Sequence, residues 1–195
     1  MSLHARGLVA GAAALALGMW FLVVGSRSAA DEKAGDVKEA VQKIADAWEK
    51  GDSAEAKKLA QEVAKDNELE DVMSLMAKST GKKKVFSYPD QSKGIEAKLI
   101  ALPKQAKPPV VEKQSADLVK MAYRVKAISE VAKNKTPEKD EGEKKVSDWK
   151  KWADEMQKGA QALADAAKAK DAAAVKKTAV SLRNTCNSCH EVFRD

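Results

Sequence analysis

The stretch LRNTCNSCHEVFRD holds the only two cysteines of the chain, Cys186 and Cys189, and His190 follows the second directly. In a helix the two thiols stand about one turn apart. Thiols so spaced can each add across a vinyl group of a porphyrin, with the neighbouring imidazole then held beneath the iron; Cys-x-x-Cys-His is the attachment signature of c-type haem. A zinc site would need four ligands, and only Cys186, Cys189 and His190 are at hand, because His4 falls in a targeting segment. A thioredoxin-like redox pair calls for a βαβ context that this sequence does not offer. A disulfide across two intervening residues closes too short a loop to stabilise much. The expectation is one covalently bound haem c, held by Cys186 and Cys189, with His190 as an axial ligand of the iron.

The elements that must position this motif are helical. The chain is rich in Ala, Lys, Glu and Asp and poor in aromatics and glycine, a composition that favours helices because these side chains lose little rotamer freedom there. Apolar residues recur at helical spacing in Val37, Ala40, Val41, Ile44, Ala47 and Trp48, a helix from Asp36 to Lys50 that Gly51 ends. Asp52 or Ser53 caps the next. That helix carries Leu59 and Val63, then Val72, Met73 and Met76, with a break or register shift near Asn67. From Gly81 to about Pro109 the pattern fails: four of the five prolines lie here, around one short helical stretch, IEAKLIAL. A connection this long is often functional, as a cover over a binding site, though an exposed Lys-rich loop reads equally well. A third helix runs through ADLVKMAYRVKAISEVA, and a fourth puts Trp149, Trp152, Ala153, Met156, Ala160, Leu163 and Ala167 on one face. The fifth starts at Asp171 and aligns Val175, Ala179, Leu182, Cys186, Cys189 and Phe193 in a stripe, so its cysteines are expected to point into the core. The fold class is all-α: an antiparallel four-helix bundle with an additional helix and a long loop.

Residues 7–25 form an uncharged stretch behind His4 and Arg6, with small residues at Ser28 and Ala30. This reads as a secretory signal cut after Ala30; the alternative is a retained membrane tether through residues 7–25, since the run is near the roughly 20 residues that span a bilayer. Either way residues 31–195 form one domain outside the cytoplasmic membrane, in the periplasm. The formal net charge is +6, and removal of residues 1–30 takes away Arg6 and Arg27 and no acid. The small remaining surplus reads as a solvated surface, with docking to an acidic partner as the functional alternative. No zinc-finger ligand set and no basic stripe interleaved with aromatics is present, so no nucleic-acid partner is expected.

The stretch AKAKDAAAVKKTAVSLRNTCNSCHEVFRD resembles the C-terminal hairpin of class II c-type cytochromes, the cytochrome c′ group. In that family the haem motif lies near the end of the last helix of a four-helix bundle. The resemblance is strong over residues 146–195 and weaker over 68–134. It implies haem joined through Cys186 and Cys189, His190 as the proximal iron ligand, and, in Arg194, the basic residue that follows the family's motif. Phe193 then packs on the porphyrin, or serves as an ordinary core aromatic. Arg194 pairs with a propionate or lies near the imidazole, or else relieves the negative end of the helix dipole. Redox partner proteins and a homodimer are further implications, and no enzyme is expected, since no nucleophile–base pair or second metal site is visible.

The second axial position separates two activities. A methionine there closes the iron and suits one-electron transfer, whereas an open apolar pocket leaves a five-coordinate iron that binds gases such as NO or CO. Met73, Met76, Met121 and Met156 are available, each with a reading as core filler. LEDVMSLMAK resembles the first bundle helix of the six-coordinate family members. The two hairpins also look alike: with Ala45 set against Ala164, ADAWEKGDSAEAKKLA aligns with ADAAKAKDAAAVKKTA, and continuing the alignment sets Asp71 opposite His190 with Met73 within a turn. Met73 is therefore the tentative distal ligand and Met76 the next choice. The sequence leaves open whether residues 110–134 or residues 36–66 are the addition to the bundle.

Overall fold

A computed structural model describes residues 29–77, 85–88 and 94–194, with side chains from residue 36 onward. The expected signal or tether at residues 7–25 lies outside the described residues. Among those described there are seven helices and no strand: α1 (Ala29–Glu49), α2 (Ser53–Asp66), α3 (Leu69–Ser74), α4 (Gly94–Gln105), α5 (Pro108–Asn134), α6 (Val146–Lys168) and α7 (Ala172–Phe193). The all-α fold expected from composition and periodicity is the observed one.

The two similar hairpins, α1–α2 and α6–α7, turn in the same way, bond for bond. In the first, the Lys50 N–H donates to Asp46 O, the Gly51 N–H to Trp48 O and the Asp52 N–H to Ala47 O; in the second, Ala169 donates to Asp165 O, Lys170 to Ala167 O and Asp171 to Ala166 O. This pattern closes a helix through a residue in the left-handed region, here Gly51 at φ 82° and Lys170 at φ 55°. The aspartate that follows caps the next helix: Asp52 accepts from the Glu55 N–H, and Asp171 from the Ala173 and Ala174 N–H groups. The hairpins part company at the equivalent of Cys186, where α2 stops at the extended Asn67 and α7 continues to Phe193.

Helices α4 to α7 form the bundle. Helix α6 packs along both α5 and α7, and α4 lies on α7. The Trp149 indole N–H donates to Ala132 O (2.9 Å) and Lys168 Nζ donates to the Tyr123 hydroxyl (2.7 Å), which sets α5 and α6 antiparallel. Contacts of Phe193 with Trp149 and Trp152 at one end, and of Leu182 with Gly159 further along, do the same for α6 and α7. Helices α1 and α2 pack on the flank of α5, where Arg124 donates to Gln42 and Lys126 sits over the Trp48 ring. The hairpin containing residues 36–66 is thus the addition, and α5 belongs to the bundle. What periodicity showed as one additional helix is a two-helix hairpin.

Of the irregular stretch from Gly81 to Pro109, the described residues 94–109 are largely helical. Pro108 and Pro109 occupy the first positions of α5, where a missing N–H costs nothing. Pro103 sits in the last turn of α4. The start of α4 abuts the end of α3: the last carbonyls of α3 take 3₁₀-type bonds, and the Glu96 N–H donates to Met76 O at 3.0 Å. Skipping residues 78–93, Glu96 is the fourth residue after Met76, so this is the bond an uninterrupted helix would make. Gly94 makes the junction possible, with φ 82° and no room for a side chain, since an ideal Cβ would lie 2.1 Å from Ala77 O.

Candidate functional site

Helix α7 carries the Cys-x-x-Cys-His motif in its last two turns. Its first part is anchored by the Asp171 cap and by Val175, Ala179 and Leu182, all fully buried. Gly159 on α6 lets α7 come close, because a Cβ there would stand 3.2 Å from a Leu182 methyl. Past Leu182 the stripe opens: Cys186, Cys189, His190 and Phe193 are only partly buried. The cysteines, expected to point into the core, are partly buried at its edge. Below them α7 is enclosed by the bundle, whereas at this end its cover comes from the first turns of α4 and α6.

Both cysteines are free. Partial burial pushes the Cys186 thiol up to about 11, with the Cys189 thiol and Glu96 adding to the effect, and burial alone pushes Cys189 up to about 11. Both are therefore held as neutral thiols near neutral pH. The His190 imidazole is pushed below its ordinary value by burial and by Arg194, against the opposing pull of Glu96. A neutral imidazole has a ring nitrogen lone pair free for a metal. Arg194 ends the helix in an extended conformation, its N–H donating to His190 O at 3.1 Å. Arg194 thus stands at the C-terminal end of α7 and acts on the His190 imidazole.

Phe193 meets the Trp149 and Trp152 rings edge-on, with centroids 4.9 and 5.9 Å away. These aromatic contacts fix the end of α7 against the first turns of α6. The Trp149 indole is tied in turn to α5 through Ala132 O.

The candidate distal residues are spread out. Met73 is half-buried on α3, which packs on α1 and α5, while the main neighbours of α7 are α6 and α4. The repeat alignment that set Met73 near His190 holds for the hairpin turns; Met73 itself lies on a helix whose main neighbours differ from those of α7. Met76 is nearer in the chain of contacts: its carbonyl binds the Glu96 N–H, and Glu96 acts electrostatically on Cys186 and His190. Met121 is buried in α5. Met156 is buried on α6 between the levels of Trp152, which meets Phe193, and Gly159, which meets Leu182. Helix α4 buries Ile95, Leu99 and Leu102 together with Lys98, whose ammonium donates to Gln114 Oε1 at 2.8 Å. Glu96 was not among the residues singled out from sequence, since no local pattern links a short helix between prolines to the far end of the chain.

The residues present suit a covalently bound porphyrin. Two unpaired thiols share one face of a helix one turn apart, a neutral imidazole follows, and all three are reachable. No cluster of metal-ligating side chains occurs elsewhere among the described residues. The family profile described as cytochrome C′ matches residues 70–194. The match begins at α3, leaves out the α1–α2 hairpin and ends on Arg194. No curated protein and no solved structure matches the chain. The profile covers more than half of the sequence, and the chain belongs to the cytochrome c′ family of haem-binding helical bundles.

Proposed function

From that membership we propose that the protein is an exported c-type cytochrome that carries one haem and passes single electrons between redox partner proteins. The observation that carries the reading is the free Cys186–Cys189 pair and neutral His190 on the last turns of α7, inside the matched region. Addition of each S–H across a vinyl group gives a thioether without any net oxidation, so Cys186 and Cys189 are the covalent anchors and His190 is the proximal ligand. Bound haem supplies an iron that alternates between two oxidation states. The chain's own part is to hold the His190 backbone in the last turn of α7, through the bond from the Arg194 N–H to His190 O, and to clamp this end of α7 through Phe193. Met73 is the proposed distal ligand, with Met76 the alternative at the α3–α4 junction. Its role is that of a carrier and not of an enzyme.

Export follows from the basic and apolar N-terminal pattern, with residues 7–25 as signal or tether. No described helix is long and apolar enough to cross a membrane. A homodimer is proposed from family membership alone.

One observation favours a second reading. Helix α3, which carries Met73, packs on α1 and α5, whereas the main neighbours of α7 are α6 and α4, an arrangement that suits an open distal position and binding of NO or CO. Absorption spectra of the oxidised and reduced protein, with CO added to the latter, separate the two. A low-spin spectrum unchanged by CO, lost in Met73→Ala or Met76→Ala, supports electron transfer and identifies the ligand. A high-spin spectrum that shifts at once with CO puts gas binding first.

A further inference from the structure

The outer sides of α4 and α7 carry mainly positive charge. On α7, Val175, Ala179 and Leu182 face the core, and the other side of the helix holds Lys176, Lys177, Val180 and Arg183, all exposed. From Ala172 to His190 this helix has no acid, and its only one is Glu191. Helix α4 turns Ile100 and Lys104 outward and leads into Lys107, all exposed, with Glu96 as its one acid. The two helices pack on each other. They run antiparallel, because α4 leads directly into α5, whose first turns are tied to the α6–α7 turn. The ties are the Ser115 hydroxyl, which donates to Ala167 O at 2.7 Å, and the Lys170–Glu112 pair. Lys104 and Lys107 therefore stand at the same end of the pair as Lys176 and Lys177. No salt bridge joins any of these five cations to an acid among the described residues. The exposed side of α2, by contrast, interleaves Lys57, Lys58 and Lys65 with Glu62 and Asp66.

Ile100, 46 % exposed, and Val180, 40 % exposed, are the exposed large apolar side chains among the described residues. One such residue alone means little. Two of them among unpaired cations on adjoining helices have the make-up of a docking surface, apolar contact within a charged surround. Arg183 stands one turn before Cys186, and Lys176 about 15 Å before it along the helix. We propose that the α4–α7 face is the docking surface for a redox partner whose own contact surface is acidic. The inference rests on the c-type carrier reading and gives that carrier a class of partner. A positive face on the helix that bears the motif draws an acidic surface into encounter and orients it towards that helix.

The test uses the haem-loaded protein and two probes. In the first, the ferrous protein gives one electron to hexacyanoferrate(III), an anion, or to tris(phenanthroline)cobalt(III), a cation; the metal of the oxidant gains that electron and no proton moves. The combined change Lys176→Gln, Lys177→Gln and Arg183→Gln is compared with Lys57→Gln, Lys58→Gln and Lys65→Gln on α2, which removes the same charge from exposed positions. At low salt the α7 variant should react with the anion about tenfold more slowly than wild type, and no more slowly with the cation. The α2 variant should stay close to wild type, and the differences should shrink at high salt. In the second, fluorescent poly-glutamate stands in for the acidic partner, and the α7 variant alone should bind it about tenfold more weakly. Equal effects of the two combined variants would show that net charge alone acts and overturn the docking face. Binding to phosphatidylglycerol vesicles through the α7 cations, with none to poly-glutamate, would assign the face to a lipid surface and overturn it as well. A pyridine haemochrome assay keeps the two levels apart. Without covalently bound haem the carrier reading fails and takes this inference with it; with covalent haem and equal variants, the docking face fails alone.

Discussion

Replacing Gly94 with alanine tests the junction on which the placement of Glu96 depends. Gly51 and Gly94 share the same backbone angle, φ 82°, so alanine at either carries the same left-handed strain, about 1 kcal/mol. Their surroundings differ. Nothing lies within 4 Å of a Cβ at position 51, whereas a Cβ at position 94 would meet Ala77 O at 2.1 Å and its carbonyl carbon at 2.9 Å. Those atoms are backbone and cannot swing aside, so α3 and α4 must separate. Separation gives up the Glu96–Met76 bond, about 1 kcal/mol net, and adds repacking of about 1–3 kcal/mol. Gly94→Ala should therefore cost about 3–5 kcal/mol against about 1 kcal/mol for Gly51→Ala. For a chain of this size each kcal/mol lowers Tm by about 2–4 °C. Thermal unfolding followed by far-ultraviolet circular dichroism gives the comparison. Equal shifts in the two variants would refute the close junction and remove the support for the position of Glu96.

The turn before α7 offers a stabilising change, because Lys170 holds a left-handed conformation that its counterpart Gly51 adopts freely. Lys170→Gly should raise stability by about 0.5–1 kcal/mol, the exposed pair with Glu112 contributing little; a loss of stability in a urea titration would count against the equivalence of the two turns. In the haem-free protein both thiols are raised from the ordinary 9.0 to about 11. Near pH 8 their alkylation should thus be roughly a hundredfold slower in the folded chain than in urea. The sign for stability follows from the same shift: folding favours the protonated thiols, so stability is full below pH 9 and declines as pH rises from 9 towards 11. Equal alkylation rates in the two states would show that the thiols are not shielded.

The parts of the site that could be read from sequence are those whose chemistry is local. Cys186, Cys189 and His190 need only one helix to bring them together, and helical periodicity with the Asp171 cap supplies that helix. The bond-for-bond match of the two turns shows that the likeness of the hairpins was also a local property, carried by residues 46–52 and 165–171. The distal side obeys no such rule. The end of α3 and the start of α4 are separated by residues 78–93 and joined by a single backbone bond and a glycine contact, which leave no periodic trace. Extending the hairpin alignment past Asn67 carried it across the break expected there, where α2 ends in an extended residue, and Met73 lies on α3, packed on α1 and α5. Glu96, which acts electrostatically on His190, lies on α4, and its neighbours Pro89 and Pro103 argue locally against ordered structure. The Cys-x-x-Cys-His motif is thus encoded in one contiguous stretch, whereas how α3 and α4 meet is set by tertiary packing.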